Sequence, residues 1–190
     1  MHTTNRVSPT RPEARDEALA ALNKLGAKIQ FQRGVQENPN VEAVNLAGRK
    51  IKDEDLAHLA EFTSLQRLQL ENTWITGSGL KHLKRMDRLE VLTLFRTKLN
   101  DAGLVYIRDM TTLQDLNLFG TRITDSGLKH LMRLTNLTDL VLYCTNVTDA
   151  GIEHLKGLHS LETLWLGGTK VTDECITELK QSLRGCRILK

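Results

Sequence analysis

Three sets of side chains in this chain have types that can do chemistry, and each recurs at a step of 24 residues. The first is aromatic. Phe95, Phe119 and Tyr143 follow one another at that step, and Trp165 lies two residues short of the next, so four of the chain's eight aromatics (Phe 4, Trp 2, Tyr 2) share one region of the repeat. Rings of this kind bind by covering about 150–250 Å² each, and they are typical anchors of protein partners. The second set is histidine: His58, His82, His130 and His154. Imidazoles in register raise the question of a metal. The third is the dipeptide Thr-Asp, at Thr124-Asp125, Thr148-Asp149 and Thr172-Asp173.

The last two sets point to structure rather than chemistry. The histidines fall on separate helices, and packed helices stand about 8–10 Å apart, too far for neighbouring imidazoles to share an ion that each must approach to about 2 Å. No column of Cys, Asp or Glu accompanies them at helical spacing. A hydrogen bond to the backbone of the adjacent repeat is their expected role. Each Thr-Asp pair stands just before a periodic apolar run, where a side-chain oxygen caps the first turn of a helix. An active site should break the repeat symmetry, and these pairs preserve it. Gly167-Gly168 is not followed by the Gly-Lys-Ser/Thr of a phosphate loop. Cys144, beside Tyr143, is the sole candidate nucleophile, and no base is expected near it. We therefore assign no catalytic residue, no metal and no cofactor.

The elements that must position the aromatic set are written in the repeat itself: Leu-x-x-Leu-x-Leu-x-x-Thr-x-Ile-Thr-Asp-x-Gly-Leu-x-His-Leu. Copies begin at Val41, Leu65, Leu89, Leu113, Leu137 and Leu161, so six of them cover 41–184. A fixed period of this length denotes a solenoid, in which each unit buries its apolar face against its neighbours. Alternation at Leu116, Asn117 and Leu118 is a short strand with one face inward. Successive strands then pair in parallel, about 4.8 Å apart. Ile123 adds a further inward residue at the turn, and Leu128, Leu131 and Leu134 mark one face of a short helix. Strand, turn and helix repeated in one sense give a right-handed coil.

This motif resembles the leucine-rich repeat family, in particular the helix-bearing kind found in tandem in bacterial proteins and, with a longer cysteine-containing repeat, in F-box substrate adaptors. The resemblance covers about three quarters of the chain. It implies an α/β fold: a right-handed solenoid with a parallel sheet on the concave face and short helices on the convex face. By family habit it also implies protein binding on the concave side. No F-box precedes the repeats, so the adaptor role is not implied. Thr73, Thr97, Thr121, Thr145 and Thr169 stand where many such repeats carry Asn or Cys. Their hydroxyls are expected to satisfy backbone groups buried by the turn. Arg49, Lys52 and Asp55 depart from the pattern in the first repeat, as a terminal repeat should.

The flanks read as lids. Residues 1–11 have the composition of a disordered segment. Residues 12–40 hold a helix from Pro12 to Leu25, with Ala18, Leu19, Leu22 and Leu25 on one face, and then a strand from Lys28. Residues 185–190 supply a closing strand. Cys144, Cys175 and Cys186 are odd in number and lack zinc spacing, so packed free thiols are the expected state; a Cys175–Cys186 bridge is the alternative in an oxidising compartment. A net charge of +3 is too small for a nucleic-acid partner, no apolar run reaches the roughly 18 residues of a membrane span, and the first residues lack the apolar stretch of a secretory signal. A cytoplasmic monomer is the expectation.

The binding surface then lies on the outward strand positions. Phe95, Phe119, Tyr143 and Trp165 form its strip, at a spacing of about 5 Å suited to offset stacking. Asn117 sits beside them, Asp115 and Asp139 form an acidic shoulder, and Arg96 and Arg122, with Lys98 and Lys170, form a basic rim. A mixed rim favours a protein or peptide over a polyanion. A carbohydrate stacked on the rings, or self-assembly through the strip, are the alternatives. A ladder of rings that only stiffens the sheet would contribute roughly 0.2–1 kcal/mol per pair.

Overall fold

The computed structural model describes residues 11–33 and 40–190. Helix α1 (Arg11–Lys24) leads into β1 (Lys28–Phe31), and β1 pairs antiparallel with β2 (Val41–Asn45). From β2 onward every pairing is parallel and follows chain order: β3 (Arg67–Gln69), β4 (Val91–Thr93), β5 (Asp115–Asn117), β6 (Asp139–Val141), β7 (Thr163–Trp165) and β8 (Arg187–Leu189). Within the parallel part the register never slips. Leu68, Leu92, Leu116, Leu140, Leu164 and Ile188 stand opposite one another across the sheet. The expected disorder of residues 1–11 falls outside the described residues except for Arg11, which begins α1.

Each repeat buries the same apolar positions. In the third these are Leu89, Leu92, Leu94, Leu99, Leu104, Ile107 and Met110, all buried. Fully burying one such side chain is worth about 1.5–3 kcal/mol, so a row of them offsets the ordering of strands only three residues long. The chain is thus an α/β leucine-rich repeat solenoid, with its sheet concave and its helical turns convex.

The convex side is less helical than a spacing of three leucines suggests. α2 (Asp101–Leu104), α3 (Asp125–Leu128) and α4 (Asp149–Ile152) are single turns, and Asp53–Glu61 and Ser78–Leu83 are 3-10 helices. Apolar residues at i, i+3 and i+6 match a period of three rather than 3.6, which favours the tighter winding. Among the helices of the repeats, α5 (Asp173–Ser182) in the last one is the longest, at ten residues.

Two polar columns run along the solenoid, the first closing each repeat's own turn and the second tying one repeat to the next. The hydroxyls of Thr73, Thr97, Thr121, Thr145 and Thr169 donate to the carbonyl three residues before each, at 2.6–2.7 Å. In the Thr-Asp pairs the two side chains act in different places. Thr124 and Thr148 cap their own helices, while each Asp reaches forward into the next repeat. Asp101, Asp125 and Asp149 accept from both the N–H and the hydroxyl of Thr124, Thr148 and Thr172. Asp53 does the same for Thr76 and also accepts from the N–H groups of Gly77 and Gly79. At Gly77 the column is interrupted, and a Cβ there would stand 2.6 Å from the Cα of Gly103: the two repeats meet backbone to backbone instead.

Candidate functional site

On strands of three residues, the inward middle leucine fixes its two neighbours outward. Asp115 and Asn117 on β5 therefore lie beside Asp139 and Val141 on β6, and Val141 beside Trp165 on β7. Phe95, Phe119 and Tyr143 follow two residues past each strand's outward end, and all four rings are half-buried.

The rings do not form the evenly spaced stack that a strand separation of about 5 Å implies. They form two tilted pairs. Phe95 and Phe119 have centroids 6.2 Å apart with their planes at 45°; Tyr143 and Trp165 are 6.0 Å apart at 38°. The division arises at Gly167. A Cβ at that position would stand 1.7 Å from Cε1 of Tyr143, so the tyrosine leans into space that any other residue would fill. It thereby meets Trp165 instead of Phe119. The Arg96 guanidinium carbon lies 5.4 Å from the Phe119 centroid, within the range of a cation–π contact.

The charged neighbours segregate along the strand direction. Asp115 and Asp139 stand in register on adjacent strands. Burial, and then the charge of Asp139, push the Asp115 carboxyl above its ordinary range. At the other end Arg96, Lys98, Arg122 and Lys170 are all exposed, and none pairs with a carboxylate among the described residues. Asn117 acts within its own strand end, where its Oδ1 accepts from the N–H of Phe119 at 3.1 Å. Nearer the first repeat, a groove of about 300 Å³ is lined by Lys28, Gln30, Arg67 and Gln69 among others and holds no aromatic ring. Arg67 there is paired with Glu42 at 2.6 Å.

The eighth position of the repeat is a column of left-handed backbone: Gly48, Asn72, Arg96, Gly120, Cys144 and Gly168 all have positive φ. Arg96 and Cys144, at φ 53° and 54°, therefore flank the aromatic pairs in a conformation that L-residues disfavour. Glycine at three of the six positions is the sequence signal for it. Cys144 is exposed, Cys175 and Cys186 are buried, and all three thiols are free. Burial and the nearby Asp149 carboxylate push the Cys175 thiol up to about 11, which keeps it protonated.

The histidine column is half-buried on the convex side. Among the described residues none of His58, His82, His130 and His154 makes the expected hydrogen bond to a neighbouring backbone. Among the described residues no three His, Cys, Asp or Glu side chains come together to hold a metal ion. Outside the concave strip, Trp74, Val105, Tyr106 and Met132 are large apolar side chains left exposed. No helix among the described residues is long and apolar enough to cross a membrane.

Comparison with known proteins bears on the fold. A family model described as a leucine-rich repeat matches residues 109–132. No curated protein matches the sequence. Among solved structures, an internalin of Listeria monocytogenes superposes with a TM-score of 0.60 at 17% identity, over 98% of this chain and 59% of its own. Internalin C2 of the same organism gives 0.54 at 23% identity, over 78% and 70%. A leucine-rich repeat protein of Leptospira interrogans gives 0.52 at 19% identity, over 70% and 38%. The chain thus spans less than two thirds of the first and the last of these proteins, and the likeness is one of fold.

Proposed function

We propose that this chain, a leucine-rich repeat protein in its repeat and its fold, is a non-catalytic scaffold that binds a protein or peptide on its concave face. The observation that carries the reading is the grouping of Phe95, Phe119, Tyr143 and Trp165 on outward positions of consecutive repeats, where the core does not require them. A sheet already paired on both sides gains little from added rings, whereas aromatics at the centre of a contact surface supply much of its binding energy. Arg96 and Arg122 border the strip and give it a polar rim, as recognition surfaces have.

The details favour a polypeptide over a sugar. Sugar rings stack on flat, open aromatic faces, but these rings are tilted by 45° and 38° within their pairs. Arg96 lies over Phe119, and the Asn117 carbonyl oxygen that could receive a sugar hydroxyl already accepts from Phe119. The chain acts as a monomer in this reading, which light scattering across a concentration series checks.

A paired pull-down tests the site. The wild type and a Phe95→Ala/Phe119→Ala/Tyr143→Ala variant, matched for circular dichroism and melting, are used as baits. A partner held by the first and lost by the second is the expected result. Equal retention of every partner moves the site off the strip.

A further inference from the structure

The concave face is polarised along its strands, and neither end is neutralised among the described residues. Asp115 and Asp139 stand in register at the start of β5 and β6, with no cation or hydrogen-bond donor on either carboxylate among the described residues. Past the far ends of the strands, Arg96, Lys98 and Arg122 form a second group of like charge. Backbone bonds from Lys98 N–H to the Ile75 carbonyl and from Arg122 N–H to the Leu99 carbonyl, both 2.9 Å, hold the last two on neighbouring turns. Glu71, an acidic residue in the same row of turns, is engaged by the Thr93 hydroxyl. The two aromatic pairs lie between the charged groups.

Water makes this arrangement tolerable while the face is free. Two unit charges about 4 Å apart repel by only about 1 kcal/mol in bulk water, but severalfold more once solvent is displaced. A ligand that covers the rings removes that solvent from both ends at once. It must then bring opposite charge to each end or leave buried charge unpaired, which is the costlier outcome. A polyanion answers only the arginine and lysine group, and a polycation only the aspartates.

Resting on the concave binding site proposed above, we infer that its occupant is a peptide segment of mixed charge. It carries a basic side chain for Asp115 and Asp139, an acidic one for Arg96, Lys98 and Arg122, and apolar side chains between them. The third and eighth positions of a repeat are five residues apart, at most about 16 Å at strand rise. The distance is less than that because the strand ends at the fifth position and the eighth is left-handed. The two charges of an extended partner therefore stand no more than about five residues apart. A second copy of this chain, which would have to present such a segment, is an outcome that the same binding assay separates by concentration dependence.

Random peptides displayed on phage and selected against the full chain are the probe, and an enriched peptide is then titrated by fluorescence anisotropy. Enriched sequences should carry an acidic and a basic residue at that spacing around an apolar centre. Asp115→Asn/Asp139→Asn should weaken such a peptide about tenfold or more. A peptide whose basic residue is changed to Glu should lose binding to the wild type and regain it with Asp115→Lys. Peptides lost with Phe119→Ala/Tyr143→Ala but indifferent to both charge groups would overturn the mixed-charge partner and leave the site standing. Peptides indifferent to the ring variants, or no enrichment at all, would overturn both.

Discussion

The Asp125 carboxylate receives both the N–H and the hydroxyl of Thr148, each at 2.7 Å, across the boundary between two repeats. Thr148 in turn caps α4, so one carboxylate orders the start of its neighbour's helix. Asp125→Ala removes a charged acceptor from two donors and is expected to cost about 1–3 kcal/mol. Asp125→Asn, which keeps one oxygen for the N–H, should recover part of the loss. Urea denaturation of the three proteins measures it; equal midpoints would mean that water replaces the carboxylate without penalty.

The same contacts set a pH dependence with a definite sign. At Asp53, burial alone would raise the carboxyl, but the Thr76 hydroxyl and the N–H groups of Gly79, Thr76 and Gly77 outweigh it and hold the group below its ordinary 3.8. Asp149 is lowered chiefly by the N–H of Thr172. A carboxyl lowered by folding contributes stability that is present above its unfolded value and lost as pH falls through the folded one. The wild type should therefore lose stability from about pH 4 downward, and Asp53→Asn should flatten that loss in a melting series.

Asp115 has the opposite sign. Its carboxyl is raised by burial and by Asp139, so the folded chain holds that proton to a higher pH than the unfolded chain does. The group costs stability above its folded value, and the cost disappears below 3.8, where both states are protonated. Asp115→Asn should raise the melting temperature at neutral pH and leave it unchanged in strong acid. A drop at neutral pH would mean that the carboxylate has a stabilising partner.

The apolar columns are legible in the sequence because burial repeats with the strand and turn: Leu113, Leu116, Leu118 and Ile123 point inward by position alone. Helix length is not, since the spacing of Leu128, Leu131 and Leu134 favours a tighter winding but the single-turn outcome depends on how repeats stack. The role of Asp125 is hidden for a different reason. Its partner Thr148 is 23 residues away, and a Thr-Asp pair reads locally as a cap. Rings at Phe95, Phe119 and Tyr143 can be assigned to one side from spacing. Their division into pairs cannot, because it turns on the absence of a side chain at Gly167. For the histidines, recurrence marks a shared environment without specifying a hydrogen bond.

The left-handed column allows a cleaner test of backbone strain than most sites. Gly48 has φ 68° and nothing within 4 Å of where a Cβ would stand, so Gly48→Ala adds strain without a clash. The expected cost is about 1 kcal/mol. Cys144→Gly, at φ 54°, should move the other way. Its gain is smaller, a few tenths to about 1 kcal/mol, because glycine also frees the unfolded chain. Chemical denaturation reads both; a destabilised Cys144→Gly would show that the side chain makes contacts worth more than its strain.

Gly167 links the fold to the proposed site most directly. A methyl at Gly167 would stand 1.7 Å from Cε1 and 2.4 Å from Cζ of Tyr143, so the ring must swing away from Trp165. The glycine itself is not among the residues with positive φ, so the backbone accepts alanine and the strain falls on the ring. Gly167→Ala should therefore leave the solenoid folded while separating the Tyr143–Trp165 pair. In a Trp74→Phe background Trp165 is the sole indole, since the chain has Trp 2, and its emission reports the change. A shift in Trp165 emission together with weaker partner binding, at an unchanged circular dichroism spectrum, is the expected result. Unchanged emission would place the ring's freedom elsewhere and remove Gly167 as the cause of the paired arrangement. Altered emission with full binding would separate the ring pair from recognition.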